Sequence, residues 1–157
     1  MPPGEEPASV LFVHATAGAI GAAGVLLRGP SGTGKSDLAL RLVDGGALLI
    51  ADDQVMLRRD GDRLIAGYPP AAPASLRGRL EVRGLGLVPV AVAAAAPLDL
   101  VIDLQPGVPV ERLPVPASAG YLGLVLPLLR LDPFVASAAA QVRLAVRTLR
   151  QGIIPTS

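Results

Sequence analysis

The sequence predicts a single α/β domain, richer in strand than in helix, with a mixed central sheet and one glycine-rich loop between a strand and a helix. Three observations predict it. Short apolar and β-branched runs of strand length recur at residues 10–16, 24–28, 47–51 and 98–103. Helical periodicity is confined to residues 37–44 and to a C-terminal stretch beginning at 132. Between the second run and the first helix stands Gly29-Pro30-Ser31-Gly32-Thr33-Gly34-Lys35-Ser36. At 157 residues the chain has the length of one domain, and no repeat or long linker divides it.

The elements follow in order. Residues 1–8, rich in Pro and Glu, are expected to be a loose tail, with the domain over 9–152 and a short tail over 153–157. Residues 10–16 and 24–28 read as a strand, a turn through Gly18 and Gly21, and a second strand. In the first helix Leu38, Leu42 and Ala39, Val43 recur at i, i+4, while Asp37 and Arg41 form an outward i, i+4 pair. Gly45-Gly46 stops that helix in the left-handed region. Residues 47–51 form a buried strand that ends at Asp52-Asp53, and residues 55–59 and 63–67 a hairpin around Asp60-Gly61-Asp62. A Pro/Ala-rich connection leads to Glu81-Val82-Arg83-Gly84-Leu85-Gly86-Leu87, and residues 98–103 form another buried strand. Asp132-Pro133 supplies a cap and a first-turn proline for a last helix, with an apolar seam of Val135, Ala138, Val142, Ala145 and Leu149.

Composition excludes several function classes. Half of the chain, 51%, is hydrophobic, which is too apolar for disorder. A formal net charge of +1 carries no electrostatic footprint for nucleic acid. The absence of cysteine removes thiolate catalysis and Cys-ligated metals, and a single histidine, His14, removes multi-His metal sites. Prolines interrupt the longest uncharged stretches before they reach the roughly 20 apolar residues that a membrane span needs. The N-terminus lacks the basic region and apolar core of a secretory signal, so a soluble, cytoplasmic protein is expected.

Residues 29–36 match G-x-x-x-x-G-K-[ST] in full, in the strand-to-helix setting that the pattern requires. Gly29, Gly32 and Gly34 let backbone N–H groups wrap phosphate oxygens at a helix N-terminus. Lys35, the only lysine of the chain, supplies a point charge, and the Ser36 hydroxyl can ligate Mg²⁺. ATP with Mg²⁺ is the expected ligand. A guanine-reading Asn-Lys-x-Asp segment cannot exist with Lys35 alone, which leaves a small kinase or a nucleotide sensor. Asp52-Asp53, at the end of a buried strand, are placed where metal or acid/base chemistry is carried out. Adjacent strand residues point to opposite faces, so one of the two faces the transferred phosphate. Asp103, which closes another apolar run, is the second candidate for that position.

His14, residues 29–36, Ala51-Asp52-Asp53 and the segment Glu81-Val82-Arg83-Gly84-Leu85-Gly86-Leu87 together resemble the catalytic domain of HPr kinase/phosphorylase. That enzyme phosphorylates a serine of the phosphocarrier HPr and also removes the phosphate. The likeness runs from His14 to Val90, fades toward the last helix, and implies a short form without the separate N-terminal domain. It implies that residues 29–36 hold ATP, that Ser36 and Glu81 ligate Mg²⁺, and that Asp52 and Asp53 act at the transferred phosphoryl group. Asp53 is the preferred acid/base, with Asp52 beside it at the metal, and His14 is an active-site histidine that hydrogen-bonds phosphate or orients an aspartate. An HPr-like substrate protein and a homo-oligomer, a hexamer in the long relatives, are implied as well. The Pro-Gly-Arg loop of the long enzymes has no counterpart: the comparable stretch is Leu128-Leu129-Arg130-Leu131-Asp132-Pro133, with Arg130 as the sole candidate arginine. A small-molecule kinase and a nucleotide-binding regulator without turnover are the alternatives. Arg143, Arg147 and Arg150 recur at i, i+4, i+7 on the last helix and are expected to share one exposed basic face that meets a protein partner.

Overall fold

The computed structural model describes residues 9–109, 111, 112 and 115–150. The expected tail over 1–8 and the one over 153–157 lie outside them. Strands β1 (Val10–His14), β2 (Thr16–Ile20) and β3 (Ala23–Arg28) precede helix α1 (Lys35–Asp44). Then come β4 (Leu48–Ala51), β5 (Gln54–Asp60), β6 (Arg63–Gly67), β7 (Arg79–Val82), β8 (Gly86–Pro89), β9 (Ala95–Leu104), β10 (Ala117–Tyr121) and β11 (Leu124–Leu131), and α2 (Ala138–Arg150) closes the described chain. The central sheet runs β1-β5-β6-β9-β3-β2-β4, with β11 beside β9 and β10 beside β11. β9 is its spine. It lies parallel to β3 along one edge, while its other edge pairs antiparallel with β6 at its start and parallel with β11 at its end. This mixed, strand-rich sheet is the architecture the apolar runs predict.

Two cores lie on the two faces of the sheet. Val25 and Leu27 of β3 and Leu100 and Ile102 of β9 pack under α1 and α2 against Leu38, Leu42, Ala138 and Val142. The intervening Leu26 and Val101 face the other way, with Ile50, Val55, Leu57 and Leu64. Burial on both faces is why these strands read as unbroken apolar runs without alternation. Truncating Leu100 or Ile102, each fully buried, to Ala would cost about 2–5 kcal/mol. α1 forms as its sequence predicts: Leu38, Ala39 and Leu42 face the sheet, Arg41 pairs with Asp37 at 2.9 Å, and Gly46 takes the left-handed turn at φ 109°. The hairpin of β5 and β6 turns at Gly61 with φ 63°.

Three expectations are corrected. Residues 10–16 are not one strand followed by a turn through Gly18. The chain breaks at Ala15, β1 leaves with β5, and β2 pairs with β3 and β4. Gly18 is a strand residue, where a Cβ would stand 3.3 Å from the Leu48 carbonyl oxygen of β4. Asp132 caps a turn and not the last helix. Its carboxylate accepts from the N–H groups of Phe134 and Gly107, the Pro133 and Val135 carbonyls accept from Arg41, and α2 begins only at Ala138. Val135 accordingly falls out of the seam and stays exposed. The basic face is also divided. Arg143 turns onto α1 and donates to the Arg41 carbonyl at 2.8 Å, Arg147 is exposed, and the side chain of Arg150 lies outside the described residues.

Candidate functional site

The parallel strands β3, β9 and β11, together with β4, end at one edge of the sheet, where open α/β sheets place their ligands. β3 passes there into residues 29–34, and α1 starts at Lys35. The loop is wound by backbone that only glycine adopts readily: Gly32 has φ 84° and Gly34 φ 91°. Thr33 braces it, its N–H and hydroxyl both donating to the Pro30 carbonyl, at 3.3 and 2.7 Å. Gly34 is the helix N-cap, and no side chain caps the first turn. Those N–H groups and the positive end of α1 suit a phosphate.

Lys35 is buried, 8% exposed, and its ammonium donates to the carbonyls of Gly29 at 2.5 Å and Pro30 at 2.9 Å. Burial pushes its pKa below the ordinary lysine value, while the charges of Asp52 and Asp53 pull the other way. Both aspartates sit in the turn between β4 and β5, where the Gln54 N–H donates to the Asp52 carbonyl at 2.9 Å. Asp52 accepts from the Thr16 hydroxyl at 2.8 Å and from the Ser36 hydroxyl, 3.1 Å from Oδ1 and 3.0 Å from Oδ2. Asp53 has φ 74°, is 83% exposed and stands 3.3 Å from His14 Nδ1. The pairing of β1 with β5, His14 opposite Gln54, brings the histidine there.

Residues 29–36, Asp52, Asp53 and His14 are therefore neighbours. Glu81 is not joined to them. It is exposed on the separate β7–β8 hairpin, and among the described residues no three His, Asp or Glu side chains gather to hold a metal ion. Ser36 and Asp52, a hydroxyl and a carboxylate in contact, are hard oxygen donors of the kind Mg²⁺ takes. Asp103, the second candidate, is engaged elsewhere. Both its oxygens accept from Arg28, at 2.7 and 2.9 Å, and strand alternation turns the pair onto the face opposite α1. Arg28 also donates to the Tyr121 hydroxyl at 2.9 Å, and the bonds to Asp103 hold its guanidinium above the ordinary arginine value despite partial burial. Thr16 belongs to no motif, although a hydroxyl buried in an apolar strand, 1% exposed, is a signal for it.

The family model of the HPr serine kinase C-terminal domain matches residues 6–112. An HPr kinase/phosphorylase of an Exiguobacterium species is 38% identical over 107 residues, covering 64% of this chain and 33% of that protein. One from Shouchella clausii is 45% identical over 85 residues, or 54% of this chain and 26% of that protein. The chain thus spans about a third of the length of such relatives. The solved HPr(Ser) kinase/phosphatase of Coxiella burnetii superposes with a TM-score of 0.77 and 26% identity, covering 91% of this chain and 98% of that one. With the fold, the loop and the acidic turn all in the expected order, and a family match over residues 6–112, the chain belongs to the HPr serine kinase C-terminal domain family.

Proposed function

We propose that the chain is an ATP- and Mg²⁺-dependent protein serine kinase whose substrate is HPr or an HPr-like phosphocarrier. The observation that carries this reading is the contact of Ser36 with Asp52 beside the glycine-rich loop. A nucleotide sensor needs the loop alone, whereas phosphoryl transfer needs acidic groups at its mouth. The names of the relatives, HPr kinase/phosphorylase and HPr(Ser) kinase/phosphatase, and of the family, HPr serine kinase, favour a serine of HPr as the acceptor.

Residues 29–36 would cradle the triphosphate, with Lys35 leaving the loop carbonyls for the β/γ-phosphates. Ser36 and Asp52 would hold Mg²⁺; Glu81, the ligand that the family resemblance adds, is not joined to them and would have to approach from the β7–β8 hairpin. The metal supplies charge neutralisation at the transferred group. Asp53, oriented by His14, would take the proton of the substrate serine as its oxygen bonds to the γ-phosphorus and the bond to the bridging oxygen of ADP breaks. In the reverse direction the phosphoryl group would pass from the serine oxygen to the terminal phosphate oxygen of ADP, and Asp53 would return the proton to the serine oxygen. The same reading puts the protein in the cytoplasm, as a homo-oligomer that the long relatives suggest to be a hexamer, without a nucleic-acid partner or a membrane. No helix among the described residues is long and apolar enough to cross a membrane.

The test is direct. Incubation with labelled ATP, Mg²⁺ and purified HPr should place label on a serine of HPr, and no label on HPr despite nucleotide binding would reject the HPr-kinase reading in favour of a small-molecule kinase or a sensor.

A further inference from the structure

We infer that Phe134 is the platform on which the base of the nucleotide stacks, a deepening that rests on the nucleotide-binding reading above. Residues 132–137, between β11 and α2, are pinned from two sides. The Asp132 carboxylate accepts from the Phe134 N–H at 2.9 Å and the Gly107 N–H at 3.0 Å, and Arg41 of α1 donates to the carbonyls of Pro133 and Val135. The pinned segment lies on the loop itself. A Cβ at Gly34 would stand 3.0 and 3.1 Å from Cζ and Cε1 of Phe134, and 3.1 Å from Pro133 Cγ. The ring therefore touches the backbone of the residue immediately before Lys35.

Yet the ring is not a plug. Phe134 is 58% exposed, in a chain with two Phe, two Tyr and no Trp. A lone exposed apolar residue needs no explanation. An exposed aromatic held on both sides and seated against a phosphate loop differs from that, because its place is fixed while its surface stays open. Stacking on such a ring requires only a π-face, so it accepts any base and adds affinity without choosing among them. ATP and GTP should depend on Phe134 alike.

The experiment compares ATP with inorganic tripolyphosphate, which carries the phosphates without the base. By calorimetric titration in Mg²⁺, Phe134→Leu should weaken ATP roughly tenfold, the size of one lost base–aromatic stack, and leave tripolyphosphate within about twofold. Equal weakening of both would show that the ring only braces the loop and would overturn the inference. Phe134→Trp, the sole tryptophan of its chain, keeps an aromatic platform and guards against a misfolded Leu variant. Its fluorescence should respond to ATP and not to tripolyphosphate, and identical responses would again overturn the inference. A wild-type protein that binds tripolyphosphate as tightly as ATP would remove the platform alone, whereas binding of neither would remove the nucleotide reading with it.

Discussion

The Ser36 hydroxyl stands within hydrogen-bond reach of both carboxylate oxygens of Asp52, at 3.1 and 3.0 Å, although 16 residues separate them. The Thr16 hydroxyl also donates to this carboxylate, at Oδ1 and 2.8 Å. If this pair takes Mg²⁺, Ser36→Ala removes a ligand and Thr16→Val removes the group that orients one. Loss of an orienting partner typically costs 10–100-fold in metal affinity. Both variants should therefore raise the Mg²⁺ concentration for half-maximal transfer by about tenfold or more, in a titration at saturating ATP. An unchanged Mg²⁺ requirement in Ser36→Ala would place the metal elsewhere.

Lys35→Ala and Asp53→Asn should separate binding from chemistry. The first removes the charge that meets the phosphates, so nucleotide should no longer raise the melting temperature. The second should keep that stabilisation and lose about 10²- to 10⁴-fold in transfer rate, the usual worth of a positioned base. Asparagine also tolerates the left-handed backbone that Asp53 adopts at φ 74°. The loss then belongs to the carboxylate and not to the turn. Transfer at the wild-type rate would move the role to Asp52, since Asp103 is committed to Arg28.

What was legible in the sequence was local. The loop, α1 and the β5–β6 hairpin announce themselves through glycine positions, i, i+4 spacing and a Gly61 turn, all within a few residues of the structure they specify. The acidic turn and its place beside the loop were legible from the end of an apolar run. Long-range register was not. Asp103 looks like a free carboxylate until β3 and β9 align it with Arg28, 75 residues away. The break at Ala15, between β1 and β2, leaves no mark because alanine is none of the residues that signal a turn, and Asp132 carries cap chemistry that a turn consumes before α2 begins.

The pH dependence of phosphate binding follows from Lys35. Burial lowers its pKa, and the negative charges of Asp52 and Asp53 raise it. Affinity for a polyphosphate falls as pH rises through that pKa, because the neutral amine loses the charge that the ammonium adds to the loop N–H groups. Asp52→Asn deletes one raising charge, so the pKa drops further and the alkaline limb moves to lower pH. The measurement is the tripolyphosphate dissociation constant against pH without Mg²⁺, where the position of the limb is read and not its height. A limb at the same pH in both proteins would mean that Asp52 does not act on the lysine.

Arg143 and Arg147 should differ although both lie on α2. Arg143 donates to the Arg41 carbonyl at the C-terminal end of α1, where a cation also complements the helix dipole. Arg143→Gln should cost about 1–2 kcal/mol in denaturant unfolding. Arg147→Gln, at an exposed position, should stay within about 0.5 kcal/mol. Any effect of Arg147 should appear as a higher KM for the protein substrate at low ionic strength, fading with salt. Equal stability losses for the two would mean that the contact with α1 contributes nothing.

Arg28 and Asp103 stand side by side on the parallel strands β3 and β9, at the point where β3 enters the loop. Their side chains are 30% and 26% exposed and joined by two hydrogen bonds, with Tyr121 as a third partner. Arg28→Leu would leave a carboxylate mostly out of water with no counter-charge, a loss of about 1–3 kcal/mol once solvent screening of a partly exposed pair is allowed for. Removing both charges abolishes that orphan. Replacing a partly buried ion pair by apolar groups of similar size is often close to neutral. The double variant Arg28→Leu/Asp103→Leu should therefore recover most of the stability that either single change loses, with a coupling energy above about 0.5 kcal/mol in a double-mutant cycle by urea unfolding. Because the pair precedes Gly29 and lies on the face away from α1, the double variant should also retain nucleotide-dependent stabilisation. Additive losses would mean that the two side chains act separately. Loss of nucleotide binding in a stably folded double variant would instead make the pair the anchor that sets the shape of the loop.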